Sequence, residues 1–307
     1  MRSDDDILMG NVESFTAIPA NTHTLLSLAA QHPDATLVSG CTDVGLWITK
    51  QLRTLPKIIH LNNVRDLHEM SSTATSLSLG AAITYAEAEQ HLSAIDPDVA
   101  EVLRRLGSKQ VRASGTIGGN IANGSPIGDM PPLLIALAAT VTLRAQNAER
   151  TMPLENFFLA YGKQDRAPGE LVWRIDIPKL QKAEVFRAYK ITKRFDQDIS
   201  AVMAAFRFTL ASRRIESARI AFGGLAAIPK RAALTEKAMI GLSIDDTSSC
   251  QSVVQTLARD FQPISDMRAS AAYRIETAAA LLTKALTEIA GAASDLTRIT
   301  GHRGKVA

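Results

Sequence analysis

The sequence predicts an α+β protein: two small α/β units, then a domain of three antiparallel strands with a layer of helices. Three observations carry that prediction. Over the first third, short apolar runs alternate with patterns of helical period. A strand-like run, LVWRIDIP (171–178), is closed by its proline. Beyond it, strand patterns follow one another before helical ones take over, the order expected when a sheet is covered by helices on one face. The boundary falls near residue 180. It gives a first domain over 13–180, with subdomains of about 13–70 and 71–180, and a second over 184–291.

Each element has its own signal. TLLSLAAQH (24–32) reads as helix, ATLVSG (35–40) as strand, DVGLWITKQLR (43–53) as helix and KIIHL (57–61) as strand. SLSLGAAIT (76–84) reads as strand, and YAEAEQHL and PDVAEVLRRLG as helices. PPLLIALAAT (131–140) is a helix with proline in its first turn, leading into the strand TVTLRAQ. VFRAYKIT, ISAVMAAFRFTL and ESARIAFGGLA are the three strands of the second domain. Three helical stretches follow, the last being SAAYRIETAAALLTKALTEIA, and the final residues from Thr297 read as a loose tail.

The 307 residues are 46% apolar, enough for a sizeable core. The net charge is only +3 and the basic residues form no stripe, so nucleic acid is not an expected partner. The longest apolar run, PPLLIALAATV, is too short to cross a bilayer, and the acidic start MRSDDDILMG is unlike a signal peptide. No membrane association is expected, and the expected location is cytoplasmic. Cys41 and Cys250 are the only cysteines, which excludes a disulfide framework. Cys41 reads as a small buried residue. The six histidines, at 23, 32, 60, 68, 91 and 302, lack metal-ligand spacing, so no metal site is expected on this chain. No nucleophile motif appears, and no catalytic side chain is assigned.

The stretch ASGTIGGNIANGSPIGD (113–129) holds five of the eighteen glycines in seventeen positions, a concentration that needs a reason. It contains neither of the common phosphate-binding glycine patterns. The run TIGGN can turn successive backbone N–H groups toward an anion, or it can be a pair of tight turns with no ligand. A second small-residue turn, LVSGCTDVG (37–45), lies between a predicted strand and a predicted helix and offers a helix start to a phosphate. The charged run KITKRFDQDIS (190–200) reads, by itself, as a solvated hairpin.

LVSGCTDVG, LRRLGSKQVRASGTIGGNIANGSPIGD, YGKQDRAPGEL, FRAYKITKRFDQDISAV and ARIAFGGLAAIPKRA together resemble the flavin-binding part of bacterial xanthine dehydrogenases, of the molybdenum hydroxylase family, over roughly residues 13–290. The resemblance implies a vanillyl-alcohol-oxidase-type (PCMH-type) FAD-binding domain of two α/β subdomains, followed by a C-terminal domain like that of the CO dehydrogenase flavoprotein. It implies that Leu37, Val38, Ser39, Gly40, Cys41, Thr42, Asp43, Val44 and Gly45 form one loop around FAD. Thr116, Ile117, Gly118, Gly119 and Asn120 would form a second, both serving the diphosphate through main-chain N–H groups. Asp129 matches a residue that bonds the polar linker of the cofactor, Leu106 and Val172 match positions at the adenine, and Lys190 matches a lysine near the flavin. Tyr161 and Asp198 match positions that meet NAD, and the loop 193–200 would lie over the isoalloxazine.

The chain departs from the family pattern at Leu106, which often is phenylalanine. A stacking contact of ~0.5–1.5 kcal/mol is thereby replaced by aliphatic packing. Two distant cysteines cannot hold a [2Fe–2S] cluster, so the iron–sulfur and molybdopterin centres are expected on partner chains in a hetero-oligomer, the alternative being that this chain is a segment excised from a longer protein. The implied function is to carry electrons from iron–sulfur clusters through FAD to NAD⁺ during purine oxidation. The alternatives are the flavin subunit of a CO or aldehyde dehydrogenase of the same family, or a cofactor-free assembly subunit.

Overall fold

In the computed structural model, which describes residues 5–292, 297 and 298, the first strands form a four-stranded sheet. Its members are β1 (Ile7–Gly10), β2 (Phe15–Ile18), β3 (Thr36–Val38) and β4 (Lys57–His60), in the order β1-β2-β4-β3. β1 pairs with β2 as an antiparallel hairpin, whereas β2 and β3 run parallel to β4. Parallel neighbours need crossovers. Helices α1 (Thr22–Gln31) and α2 (Val44–Thr49) lie in those connections. Asn21 caps α1 by accepting from the Thr24 N–H, and Leu25, Leu26 and Ala29 form its buried stripe.

The second sheet is antiparallel throughout. β5 (Met70–Ser72), β6 (Ser76–Gly80), β7 (Thr140–Ala145), β8 (Ala148–Pro153) and β11 (Leu171–Pro178) lie in the order β5-β6-β11-β7-β8. A separate hairpin joins β9 (Phe158–Ala160) to β10 (Lys163–Gln164), after the short helix α8 (Leu154–Phe157). Between β6 and β7 come α3 (Tyr85–Ser93), α4 (Pro97–Arg104), α5 (Lys109–Ser114), α6 (Ile117–Asn123) and α7 (Met130–Ala136). Thr84 and Glu87 close a capping box at the start of α3. Every residue of α7 is buried, with prolines at its start as expected. It stops four residues short of the predicted Thr140, because Ala138 takes a φ of 62° and turns the chain into β7.

The third sheet has four strands, one more than expected: β12 (Glu184–Ile191), β13 (Val202–Ala211), β14 (Arg214–Gly223) and a two-residue β15 (Lys230–Arg231), paired antiparallel in that order. Ser212 and Arg213 join β13 to β14 with φ of 46° and 63°, the twist that a two-residue hairpin turn demands. Four helices follow where three stretches were expected: α9 (Ala233–Met239), α10 (Thr247–Val254), α11 (Leu257–Asp260) and α12 (Ala271–Ala290).

The period of two along β13 explains its burial. Met203 and Ala205 join the first hydrophobic core, while Val202, Ala204, Phe206 and Phe208 join the second, beneath the helices. The third sheet is therefore covered on both faces, by α9–α12 on one and by α4 and α7 of the preceding region on the other. Arg298 corrects the expectation of a loose tail at that position. It is 9% exposed and bonds the buried carboxylates of Asp98 and Glu288, tying α4 to α12. The rest of the expected tail, including His302, lies outside the described residues.

Candidate functional site

The two small-residue turns meet in space but are built differently. In the first, Leu37–Gly45, the strand β3 runs into α2 through Cys41, whose φ of 58° bends the chain sharply. Gly40 is required by packing: a Cβ there would collide with the carbonyl of Ser114. Ser39 Oγ donates to Asn62 Oδ1 (2.8 Å), and Val38 is buried. The amides of Gly40, Cys41, Thr42 and Asp43 find no acceptor among the described residues, and the space beside Gly45 is open except for Cys41 Sγ. Cys41 is exposed, which corrects its reading as a buried residue. Asp43 is exposed overall, but the surrounding chain strips part of the water from its carboxyl and raises it above its usual range.

The second turn is closed. Thr116 to Asn120 form the cap and first turn of α6, with Thr116 Oγ1 accepting from the Gly119 N–H. The Ile117 amide donates to the Ile83 carbonyl (3.0 Å), that of Gly118 to Ala81 (3.0 Å) and that of Asn120 to Thr116 (3.0 Å). Gly118 is glycine because it presses on the Ala81 backbone. The expectation that these amides stand ready for a diphosphate is thus corrected for Ile117, Gly118, Gly119 and Asn120, since each is already bonded within the chain. What α6 does present are the Asn120 side chain, whose buried Oδ1 lacks a partner, and Asn123, whose Nδ2 donates to Asp43 Oδ2 of the first turn (3.2 Å).

Beside these turns, the start of α7 meets the third sheet in a buried polar cluster. Lys190 Nζ donates to Asp129 Oδ2 (2.5 Å) and Ser200 Oγ donates to Asp129 Oδ1. Asp129, Lys190 and Ser200 are 5%, 6% and 2% exposed, so a charge pair is held where water cannot weaken it. Arg105, following α4, crosses to the same strand end: it donates to the Lys190 carbonyl (2.9 Å), Thr192 Oγ1 (3.0 Å) and the Phe195 carbonyl (3.3 Å). This tethers the exposed loop 193–199. Within it, Asp198 accepts from the backbone and guanidinium of Arg194, which draws its carboxyl down to about 2.

The remaining expected residues fall in different settings. Leu106 is half-buried against the first core, and its carbonyl accepts from Arg112 Nη1. Val172 is buried at a β-bulge in β11. Tyr161 is 74% exposed at the tip of the β9–β10 hairpin, whose Gln164 packs on Gly124 after α6. Sequence reasoning did not single out Ser200, Asn123 or Arg105: they read as ordinary polar positions at a strand end, in the glycine-rich stretch and in a predicted helix. Among the described residues no cluster of three or more metal-ligating side chains occurs, and no helix is long and apolar enough to cross a membrane.

A family model described as the FAD binding domain in molybdopterin dehydrogenase matches residues 11–180. The chain belongs to that family. A second, the CO dehydrogenase flavoprotein C-terminal domain, matches residues 187–289. The glyceraldehyde dehydrogenase medium chain of Sulfolobus acidocaldarius is 31% identical, over 76% of this chain and 83% of its own. A xanthine dehydrogenase of Emericella nidulans is 28% identical over 83% of this chain. The match spans only 20% of that enzyme's length. Among solved structures, reconstituted CO dehydrogenase from Oligotropha carboxidovorans superposes with a TM-score of 0.81 at 25% identity, over 91% of this chain and 97% of that one. The vanillyl-alcohol-oxidase-type FAD-binding fold with a CO-dehydrogenase-like C-terminal domain is therefore the fold of this protein.

The site fits a flavin dinucleotide. Among the described residues, the first turn has amides without acceptors, the helix after the second turn has the buried Asn120 Oδ1 without a donor, and a lysine–aspartate pair is held at the start of α7.

Proposed function

We propose that this chain is the FAD-carrying component of a xanthine dehydrogenase-type molybdenum hydroxylase. The observation that carries the reading is the buried Lys190–Asp129–Ser200 cluster between the FAD-family region and the loop 193–199. Bound FAD would supply the electron-carrying chemistry between iron–sulfur clusters and NAD⁺. The chain's own residues bind and orient. The amides of Gly40, Cys41, Thr42 and Asp43 cradle the diphosphate, while Gly45 leaves room beside them. Asp129 holds Lys190 in place, and the lysine supplies a fixed positive charge that favours an electron-rich neighbour. Leu106 and Val172 give the adenine an aliphatic setting, and Tyr161 and Asp198 present an aromatic ring and a carboxylate to NAD. The [2Fe–2S] and molybdopterin centres belong to partners in a cytoplasmic hetero-oligomer.

A second reading, the flavin subunit of a CO or aldehyde dehydrogenase, draws support from the 83% coverage of the glyceraldehyde dehydrogenase medium chain. The run KRFDQDISAV and Tyr161 favour the purine enzyme. The test has two stages. The purified chain should be yellow and release FAD on denaturation. Assembled with its molybdenum and iron–sulfur partners, it should reduce NAD⁺ with hypoxanthine. Turnover of an aldehyde or CO in its place would establish the second reading, and a colourless chain that takes up no FAD would refute both.

A further inference from the structure

Tyr85 is the first residue of α3, and its backbone is built into the root of the closed turn. Its N–H donates to the Gly115 carbonyl (3.0 Å), and Thr84 and Thr116, the caps of α3 and α6, pair as an isolated bridge. The ring sits in the first core at 3% exposure. Its hydroxyl is sealed from solvent and has no hydrogen-bond partner among the described residues, as is also true of Asn120 Oδ1 on the adjoining helix. Leaving a buried hydroxyl unpaired is costly, and phenylalanine would fill the same space without that cost. The charged groups whose fields reach it are Asp129 and Asp43, one from each side of the candidate site. Burial and these two carboxylates raise its ionisation well above the ordinary range, so it stays a neutral donor. Asp129 does not serve as its partner: its carboxylate accepts from Lys190 and Ser200, and no hydrogen bond to the Tyr85 hydroxyl forms among the described residues.

We propose that the Tyr85 hydroxyl is completed by the bound flavin dinucleotide, to which it donates a hydrogen bond, making Tyr85 a cofactor-retention residue. The inference rests on the FAD reading above. It carries a sign that a merely structural tyrosine would not show: removing the hydroxyl relieves the cofactor-free chain and weakens the loaded one.

The test is Tyr85→Phe, which keeps the ring. FAD affinity is titrated by flavin fluorescence on stripped protein, flavin release is timed after dilution of loaded protein, and both forms are melted. The expected result is FAD binding weakened about tenfold, the worth of one hydrogen bond. Release should be correspondingly faster, and the stripped variant should melt at or above the wild-type temperature. A variant that purifies without flavin yet melts normally is the same result in stronger form. Unchanged affinity would overturn the proposal, assigning the hydroxyl to a trapped water. Parallel loss of melting temperature in both forms would also overturn it, as a packing defect. Wild-type protein that binds no FAD would instead refute the reading on which the proposal rests.

Discussion

The two small-residue turns look alike as sequence and behave oppositely as structure. LVSGCTDVG leaves four successive amides, Gly40 to Asp43, without acceptors among the described residues, and has open space beside Gly45. In TIGGN the amides from Ile117 to Asn120 are bonded within the chain, to Ile83, Ala81 and Thr116, and Gly118 is wedged against Ala81. Glycine means close approach of the chain to itself in both, Gly40 on the Ser114 carbonyl and Gly118 on Ala81; what differs is that only the first turn has this run of open amides.

The largest test of that contrast is Gly118→Val. A side chain there meets backbone that cannot move aside, so the cost should exceed about 3 kcal/mol, the upper range for overpacking. Thermal melting should show loss of the folded protein, with or without FAD. Next comes Asp129→Ala, at the end of the same glycine-rich stretch. It strands Lys190 in a buried setting, and chemical denaturation should show a loss of about 3–5 kcal/mol. Gly45→Ala sharpens the contrast from the other side. Alanine is the better helix former by up to about 1 kcal/mol, so the stripped protein should melt slightly higher while FAD affinity falls. If affinity holds, the first turn is not the cradle. The smallest effect belongs to Asn123→Ala, which cuts the side-chain hydrogen bond from α6 to Asp43 of the first turn. The loss should be within about 1 kcal/mol, read as a modest drop in FAD affinity rather than in melting temperature.

Much of this architecture was legible because periodicity reports burial. The long helix Ala271–Ala290 and the hairpin of Val202–Ala211 with Arg214–Gly223 appear where their patterns place them. The strands that escaped notice are short, polar or edge-lying. Ala148–Pro153 reads AERTMP and pairs with its neighbour on one side only, and Ile7–Gly10 is exposed along its length. The helix Ile117–Asn123 was hidden by its own glycines, which argue against helix until the Thr116 cap and the contact with Ala81 are known. At the site, Asp129 and Lys190 were each nominated through the family resemblance. Their pairing across 61 residues has no local signature, and neither does the orphaned hydroxyl of Tyr85, which reads as an ordinary aromatic position in an amphipathic helix.

The grip of Arg298 on Asp98 and Glu288 sets a practical limit on engineering. Shortening the chain from its carboxyl end to a point before that arginine would take the guanidinium away from the buried Asp98 carboxylate, which would keep the Ala188 N–H as a donor but lose its bidentate cation. Expression designs should therefore keep that cation, and fusion partners belong beyond it rather than in its place.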